Sequence, residues 1–112
     1  MIVPSRSESL PYVVLEAAGA RMPLISTNAG GIPEIFGPHA ARLIAPNDPQ
    51  TLSERMLAML QMSAAHRADE AMALADYVEQ RFSIDNMVDG VLSGYREAIG
   101  ARHGAGAARK AA

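Results

Sequence analysis

The chain has 112 residues, of which 49% are apolar and 20% charged, and its formal net charge is -2. These values are typical of one globular domain and exclude a strongly basic nucleic-acid binder. Because the chain has no cysteine, disulfides, zinc-thiolate sites and thiol nucleophiles are excluded. It has neither a basic leader nor an apolar run long enough for a signal peptide or a membrane span, so we expect a cytoplasmic location.

The first predicted elements are a strand at residues 2–3, a polar turn over residues 4–10 and a helix over about residues 11–20. Pro11 suits the first helical position, where a missing N–H costs nothing. Helical spacing directs four small or branched side chains toward a sheet, namely Val13, Val14, Ala17 and Ala18. Pro23 should end the helix near residue 20, and a left-handed turn residue at Arg21 would be strained by ~1 kcal/mol relative to glycine. Alternatively, Gly19 would let the turn after this helix form one step earlier in the chain.

Two acids flank the start of this helix, with Glu8 before it and Glu16 inside it. At ~1.5 Å of rise per residue, Glu16 lies roughly 7 to 8 Å along the axis from Pro11. The free N–H groups and partial positive charge of a helix N-terminus lie between the two acids and suit a phosphate. A sugar nucleotide has the matching order of groups, with the hydroxyls of the sugar and of the ribose on either side of the phosphates. The sequence therefore indicates a site for a sugar nucleotide.

A second strand is predicted at residues 24–27, followed by the glycine pair Gly30–Gly31 and one helical turn over residues 33–36 that ends at residues 37–38. The glycines permit either a tight strand-to-helix turn or a close approach of the backbone to a ligand, and both alternatives are open. A third strand is predicted at residues 41–45, before Pro46.

Three helices follow, over residues 49–63, over residues 65–82 and from Ser83 onward, and Asp48 and Ser83 are the expected N-caps. The second should direct Met72, Leu74, Ala75 and Val78 inward. We interpret all three as packing elements. From residue 100 the chain has no large apolar side chain, which predicts a folded part over residues 1–99 and a flexible tail over residues 100–112. The alternating order indicates an α/β domain with parallel strands, although two or three short strands form an incomplete sheet.

The pattern Pro4-Ser5-Arg6-x-Glu8, followed after seven residues by Glu16-Ala17, resembles the donor-binding motif of retaining glycosyltransferases with the GT-B fold, of the group 1 or family 4 type. The similarity extends through residues 23–35 and, more weakly, to about residue 99. It implies the second half of a Rossmann-like C-terminal domain, with short parallel strands and C-terminal helices. The chain would then be a fragment, truncated or begun at an internal methionine, that lacks the N-terminal acceptor-binding domain.

The resemblance also implies roles for individual residues. Glu8 would be the catalytic residue and approach the hydroxyls of the donor sugar, and Glu16 would accept hydrogen bonds from the ribose hydroxyls. A loop of Ser9, Leu10 and Pro11 would cover the sugar and diphosphate, although relatives often have two glycines there. Weaker candidates for the nucleotide-sugar site are Arg6, Gly30 and Gly31.

Several expectations concern partners and alternatives. We expect a nucleoside-diphosphate sugar as donor, an unknown acceptor, and no metal, cofactor or nucleic acid. By the same resemblance the enzyme is a transferase of the hexosyltransferase type, with the isolated chain inactive and the full-length protein cytoplasmic or peripheral at the inner membrane face. One alternative is a non-catalytic remnant that associates through the open strand edge at residues 2–3, with itself or with a separately encoded N-terminal portion. The other is part of a GT-B-like sugar-nucleotide epimerase.

Overall fold

The computed structural model describes the backbone of residues 1–110 and the side chains of residues 1–101. The chain forms two compact units, the first over Met1–Gln80 and the second beginning at Arg81. The elements in chain order are β1 (Ile2–Val3), α1 (Tyr12–Gly19), β2 (Ile25–Ser26), α2 (Ile32–Phe36), a 3-10 helix (Gly37–Arg42), α3 (Pro49–Gln61), α4 (Ala64–Arg81) and α5 (Ile84–Lys110).

The sheet is parallel and short. Strand β1 pairs with β2, with Ile2 opposite Ile25 and Val3 opposite Ser26. An isolated parallel bridge joins Thr27 to Ile44 and extends the sheet by one position. Helix α1 connects β1 to its parallel neighbour, as parallel pairing requires. The α/β class with short parallel strands and C-terminal helices is therefore confirmed.

The core of the first unit lies among α1, α2, α4 and the sheet. Its largest fully buried apolar side chains are Phe36, Ile32, Ile35, Leu74 and Val14. Helix α1 adds Ala17 and Ala18, whose small side chains let its backbone approach its neighbours closely. This packing fixes the direction in which α1 leaves the loop that precedes it.

Two side chains predicted to be inside are exposed. Val13 is 41% exposed and Met72 is 45% exposed, so both predictions were wrong. Each is displaced by about 100° around its helix from an inward neighbour, because a helix turns by that angle per residue. The inner stripe of α4 consists of Ala71, Leu74, Ala75 and Val78. A single alanine therefore takes the place that the longer methionine was expected to fill.

The predicted third strand, over residues 41–45, begins inside a 3-10 helix, and only its later part is extended. Helical structure does not end at residues 37–38 but continues as Gly37–Arg42, and of the expected strand only Ile44 pairs. Contacts with α4 hold this segment. The Arg42 guanidinium donates to the Glu70 carbonyl at 3.2 Å, lies 3.5 Å from the Glu70 carboxylate, and sits 5.9 Å above the centre of the Phe36 ring. These tertiary contacts override the local strand preference.

The helix caps follow the sequence. The Thr51 amide donates to the Asp48 carboxylate at 3.0 Å and the Thr51 hydroxyl donates to it at 2.6 Å. These bonds hold the pKa of the Asp48 carboxyl below its usual value. The Asn86 amide donates to the Ser83 hydroxyl at 3.2 Å, as expected of an N-cap.

Helix α5 continues past residue 100, where the sequence predicts a tail. It spans Ile84–Lys110, and Ala111 and Ala112 lie outside the described residues. The extension is consistent with the high helix propensity of alanine, which is frequent in this stretch. The second compact unit begins at Arg81, and the division into a folded part over residues 1–99 and a flexible tail over residues 100–112 stays a prediction.

The turn after α1 contains the left-handed residue that the sequence allowed at Arg21. Its φ is 56°. The Arg21 amide donates to the Ala18 carbonyl at 2.9 Å, and the Met22 amide donates to the Ala17 carbonyl at 3.0 Å. This pair of bonds is a Schellman motif, whose left-handed position favours glycine.

We expect Arg21→Gly to stabilise the chain by about 1 kcal/mol, because glycine relieves the clash of a Cβ atom in the left-handed conformation. Thermal and urea unfolding measure the change. Arg21→Ala is the matched control, since it removes the long side chain but keeps the Cβ atom. An equal gain in stability in both variants would assign the effect to the arginine side chain. It would contradict the proposed backbone strain at Arg21.

Candidate functional site

The loop between β1 and α1, residues 4–11, is fastened to the end of β2. The Thr27 hydroxyl donates to the Ser5 carbonyl at 2.6 Å, and the Ser26 hydroxyl donates to the Val3 carbonyl at 3.1 Å. Both hydroxyl residues are buried. The sequence predicted both residues only as part of the second strand, over residues 24–27, and their hydroxyls anchor the start of the loop.

The glycine pair holds the other half of this loop. The Gly31 amide donates to the Ser9 carbonyl at 2.7 Å, and Gly30 has a φ of 53°. A Cβ atom on Gly30 would overlap the Glu8 backbone, and one on Gly31 would overlap the Ser9 carbonyl. The pair therefore forms a tight turn that lets two backbone segments approach each other. A contact of Gly30 or Gly31 with a ligand stays a prediction.

Glu8 is the half-buried acid of this loop. The Ser5 hydroxyl donates to its carboxylate oxygen Oε1 at 2.6 Å, which orients the side chain from within the Pro-Ser-Arg-x-Glu motif. Ser9 beside it is exposed. With its backbone fixed by Gly30 and its side chain held by Ser5, Glu8 can present an acceptor group to a ligand hydroxyl without first ordering the loop.

Leu10 and Pro11 pack against the protein. The Leu10 methyl Cδ1 lies 3.2 Å from the point that a Gly31 Cβ would occupy, and Pro11 is buried. Pro11 precedes the helix in an extended conformation, with φ of -77° and ψ of 107°, so the expectation that it is the first helical residue was wrong by one position. Their contact with a ligand stays a prediction.

Glu16 lies on α1, apart from the loop, and is exposed. Among the described residues, no side chain caps the N-terminus of α1, and the amides of Val14 and Leu15 donate to the Pro11 carbonyl. The amides of Tyr12 and Val13 come before them at the helix start, where a phosphate would gain hydrogen bonds and a favourable helix dipole. Glu8 precedes α1 and Glu16 lies within it, as predicted, and their joint contact with one ligand stays a prediction.

Arg6 lies in a separate cleft of about 470 Å³ at the carboxyl ends of β1, β2 and Ile44, which has Asp48 and Leu52 on another side. Neither Glu8 nor Glu16 lines this cleft. The sequence analysis did not predict this cleft. The signal that could have indicated it is the polar residues that follow β1, β2 and Ile44. In open α/β sheets this end of the strands is where ligands bind.

Metal sites and membrane spans were searched over the described residues. No group of three or more His, Cys, Asp or Glu side chains among them could hold a metal ion. In the same part of the chain, no helix is both long and apolar enough to cross a bilayer.

Comparison with known proteins adds independent information. Residues 1–80 match the family model of glycosyl transferases group 1. The chain is 45% identical over 53 residues to a Bacillus subtilis (strain 168) protein named as a teichuronic acid biosynthesis glycosyltransferase, covering 47% of this chain and 14% of that protein. It is 30% identical over 99 residues to a D-inositol 3-phosphate glycosyltransferase of Mycobacterium leprae, covering 88% of this chain and 23% of the relative.

A D-inositol 3-phosphate glycosyltransferase of Mycobacterium avium is 32% identical over 98 residues, which cover 87% of this chain and 23% of that protein. The chain thus spans less than a quarter of the length of these relatives. No solved structure matches it significantly.

The packing of the glycine turn predicts that Gly30→Ala destabilises the chain by about 2 to 4 kcal/mol, since it adds a left-handed strain to an overlap with backbone that cannot move aside. Urea unfolding measures the loss, and amide chemical shifts of residues 5–11 report displacement of the loop. Gly19→Ala is the matched control, because a Cβ there meets nothing within 4 Å. Equal effects of the two substitutions would contradict the packing role.

Proposed function

Because the chain belongs to the glycosyl transferases of group 1, we propose that it is the donor-binding portion of a retaining enzyme that transfers a sugar from a nucleoside-diphosphate sugar to an acceptor hydroxyl. The observation that supports this most directly is the Glu8 loop, clamped at Ser5 by Thr27 and at Ser9 by Gly31. Such a clamp holds a polar side chain in place before a ligand arrives, which lowers the entropic cost of binding.

The proposal divides the donor among three groups of the protein. The Glu8 carboxylate accepts hydrogen bonds from hydroxyls of the sugar, and the uncapped amides at the start of α1 receive the diphosphate. Glu16, exposed on the same helix, accepts from the ribose hydroxyls. Ser9 lies exposed between the two acids and adds a hydroxyl at the junction of sugar and phosphate.

In the proposed reaction, the bond between the anomeric carbon and the diphosphate oxygen breaks and the acceptor oxygen forms the new glycosidic bond on the same face of the sugar. The nucleoside diphosphate leaves with the bonding electron pair, and the acceptor hydroxyl transfers its proton to the departing diphosphate oxygen. Glu8 contributes if its hydrogen bonds strengthen as charge develops on the sugar, because only such contacts raise turnover. The acceptor surface belongs to protein outside this chain, which covers less than a quarter of its relatives.

Nucleoside-diphosphate binding tests the donor site in the chain as it exists. We expect UDP, GDP or ADP to shift the amide resonances of residues 9–14, apart from Pro11, which has no N–H, in an NMR titration. Glu16→Ala should weaken binding by about 1.5 to 3 kcal/mol, the contribution of hydrogen bonds to a charged acceptor. Glu79→Ala, which removes another exposed acid from a helix, is the matched control. Shifts that ignore residues 9–14, or equal losses in both variants, would contradict the site.

Substitution of Glu8 should affect turnover, whereas substitution of Glu16 should affect nucleotide affinity. Glu8→Ala should leave nucleoside-diphosphate affinity within about twofold of the wild type, because the diphosphate lacks the sugar, and should lower turnover in a protein that joins this chain to an acceptor-binding domain.

The chain alone should transfer no sugar, since oriented reactants gain roughly 7 to 11 kcal/mol that an absent acceptor site cannot supply. Calorimetry and a transfer assay over a panel of nucleotide sugars measure these effects. Acceptor-dependent transfer by the chain alone would overturn the assignment.

A further inference from the structure

Two hydroxyl side chains connect the buried end of β2 to the Glu8 carboxylate. The Thr27 hydroxyl donates to the Ser5 carbonyl at 2.6 Å, and the Ser5 hydroxyl donates to Glu8 Oε1 at 2.6 Å. Thr27 is buried, whereas Ser5 and Glu8 are half-buried in the loop. Because Thr27 lies 22 residues from Ser5 in the chain, this connection depends on the fold and not on the local motif alone.

The bond from Ser5 separates the two carboxylate oxygens of Glu8. Oε1 accepts from the Ser5 hydroxyl, and no described residue donates to Oε2. Since no buried side-chain oxygen of the described residues lacks a hydrogen-bond partner, Oε2 is accessible to solvent. A carboxylate oxygen has lone pairs for about two hydrogen bonds. Oε2 is therefore fully open to a ligand hydroxyl, and its direction is fixed while Ser5 holds Oε1.

We propose that Ser5 and Thr27 are positioning residues for the Glu8 carboxylate and give the donor site its preference for a sugar-bearing nucleotide over the free nucleoside diphosphate. This inference rests on the proposed donor site. Thr27 fixes the backbone of residue 5, and the Ser5 hydroxyl fixes the side chain of Glu8. Neither hydroxyl has to touch the donor, because each acts through the next group of the connection.

The energetic reason is the flexibility of a glutamate side chain. A mobile carboxylate loses rotamer freedom when it accepts a hydrogen bond from a ligand, and this loss weakens binding. Ser5 restricts the carboxylate of Glu8 before a sugar arrives, so less freedom is lost on binding. The alternative is that both hydroxyls only satisfy the hydrogen bonding of a turn. Their loss would then change the stability of the loop and leave the preference for the sugar unchanged.

The affinities of a nucleoside diphosphate and of its hexose conjugate test the positioning role in the full chain. The probe pairs for calorimetry are UDP with UDP-glucose, GDP with GDP-mannose and ADP with ADP-glucose. We expect Ser5→Ala to reduce the preference for the conjugate about 3- to 10-fold, the effect of one hydrogen bond. Affinity for the free diphosphate should stay within about twofold. Ser5→Thr keeps a hydroxyl and should retain the preference, and Ser7→Ala, at an exposed serine of the same loop, is the matched control.

A double-mutant cycle separates this role from the proposed donor site. In a chain that already carries Glu8→Ala, Ser5→Ala should not reduce the preference further, because Ser5 acts through Glu8 alone. A further loss in the double variant, or an equal loss from Ser7→Ala, would overturn the positioning role. A preference that Glu8→Ala leaves unchanged would instead contradict the donor site, and the measurement in the ligand-free chain then decides the positioning role.

NMR of the ligand-free chain tests the positioning without a donor. The couplings between the Hα and Hβ protons of Glu8 should report one side-chain rotamer in the wild type and in Ser5→Thr, and an average over rotamers in Ser5→Ala. Thr27→Val, which removes the hydroxyl but keeps the shape, should displace the amide resonances of residues 5–8, and Thr27→Ser should not. A Glu8 side chain that averages over rotamers in the wild type, or that stays equally ordered in Ser5→Ala, would overturn the proposal.

Discussion

The approach of the Gly30–Gly31 turn to the Glu8–Ser9 backbone is the contact on which the first unit depends. The Gly31 amide donates to the Ser9 carbonyl at 2.7 Å, in space where no Cβ atom fits. The same turn begins α2, whose Ile32, Ile35 and Phe36 are fully buried in the core. A displacement of the turn would therefore move the loop before α1 and the centre of the core together.

This contact relates the fold to the proposed donor site. The loop that carries Glu8 has polar anchors at its start and a backbone anchor at its end, and its middle, at Ser9, is exposed. A loop with few apolar residues of its own would otherwise sample many conformations, and ordering it on binding would cost affinity. These anchors order the loop before any ligand binds, so in the proposed donor site the Glu8 carboxylate would not have to be ordered on binding.

Local sequence signals predicted those elements that short-range chemistry determines. The cap at Asp48, the cap at Ser83 and the left-handed residue at Arg21 were each predictable, because each depends on neighbours within five positions. The 3-10 helix at Gly37–Arg42 was not predictable, since it is held by Glu70, 28 positions away. The inward direction of Ala71 and not Met72 likewise depends on which face of α4 meets the core.

The candidate site divides in the same way. The two acids and the glycine pair were identifiable as residue types, and the family resemblance linked them into a motif. What the glycines contact could not be read from their position, because Ser9 is 22 residues from Gly31 in the chain. The cleft around Arg6 depends on three separate strand ends that meet only in the folded sheet.

Hydrogen exchange at the Gly31 amide tests this account most directly, because the account requires the Gly31–Ser9 bond to exist before any ligand binds. In the ligand-free chain, the account predicts that this amide exchanges as slowly as the Ile25 and Thr27 amides of the sheet, which donate to Met1 and Val3. Exchange at the rate of an unprotected loop amide would contradict it, since the loop would then order only when a ligand binds.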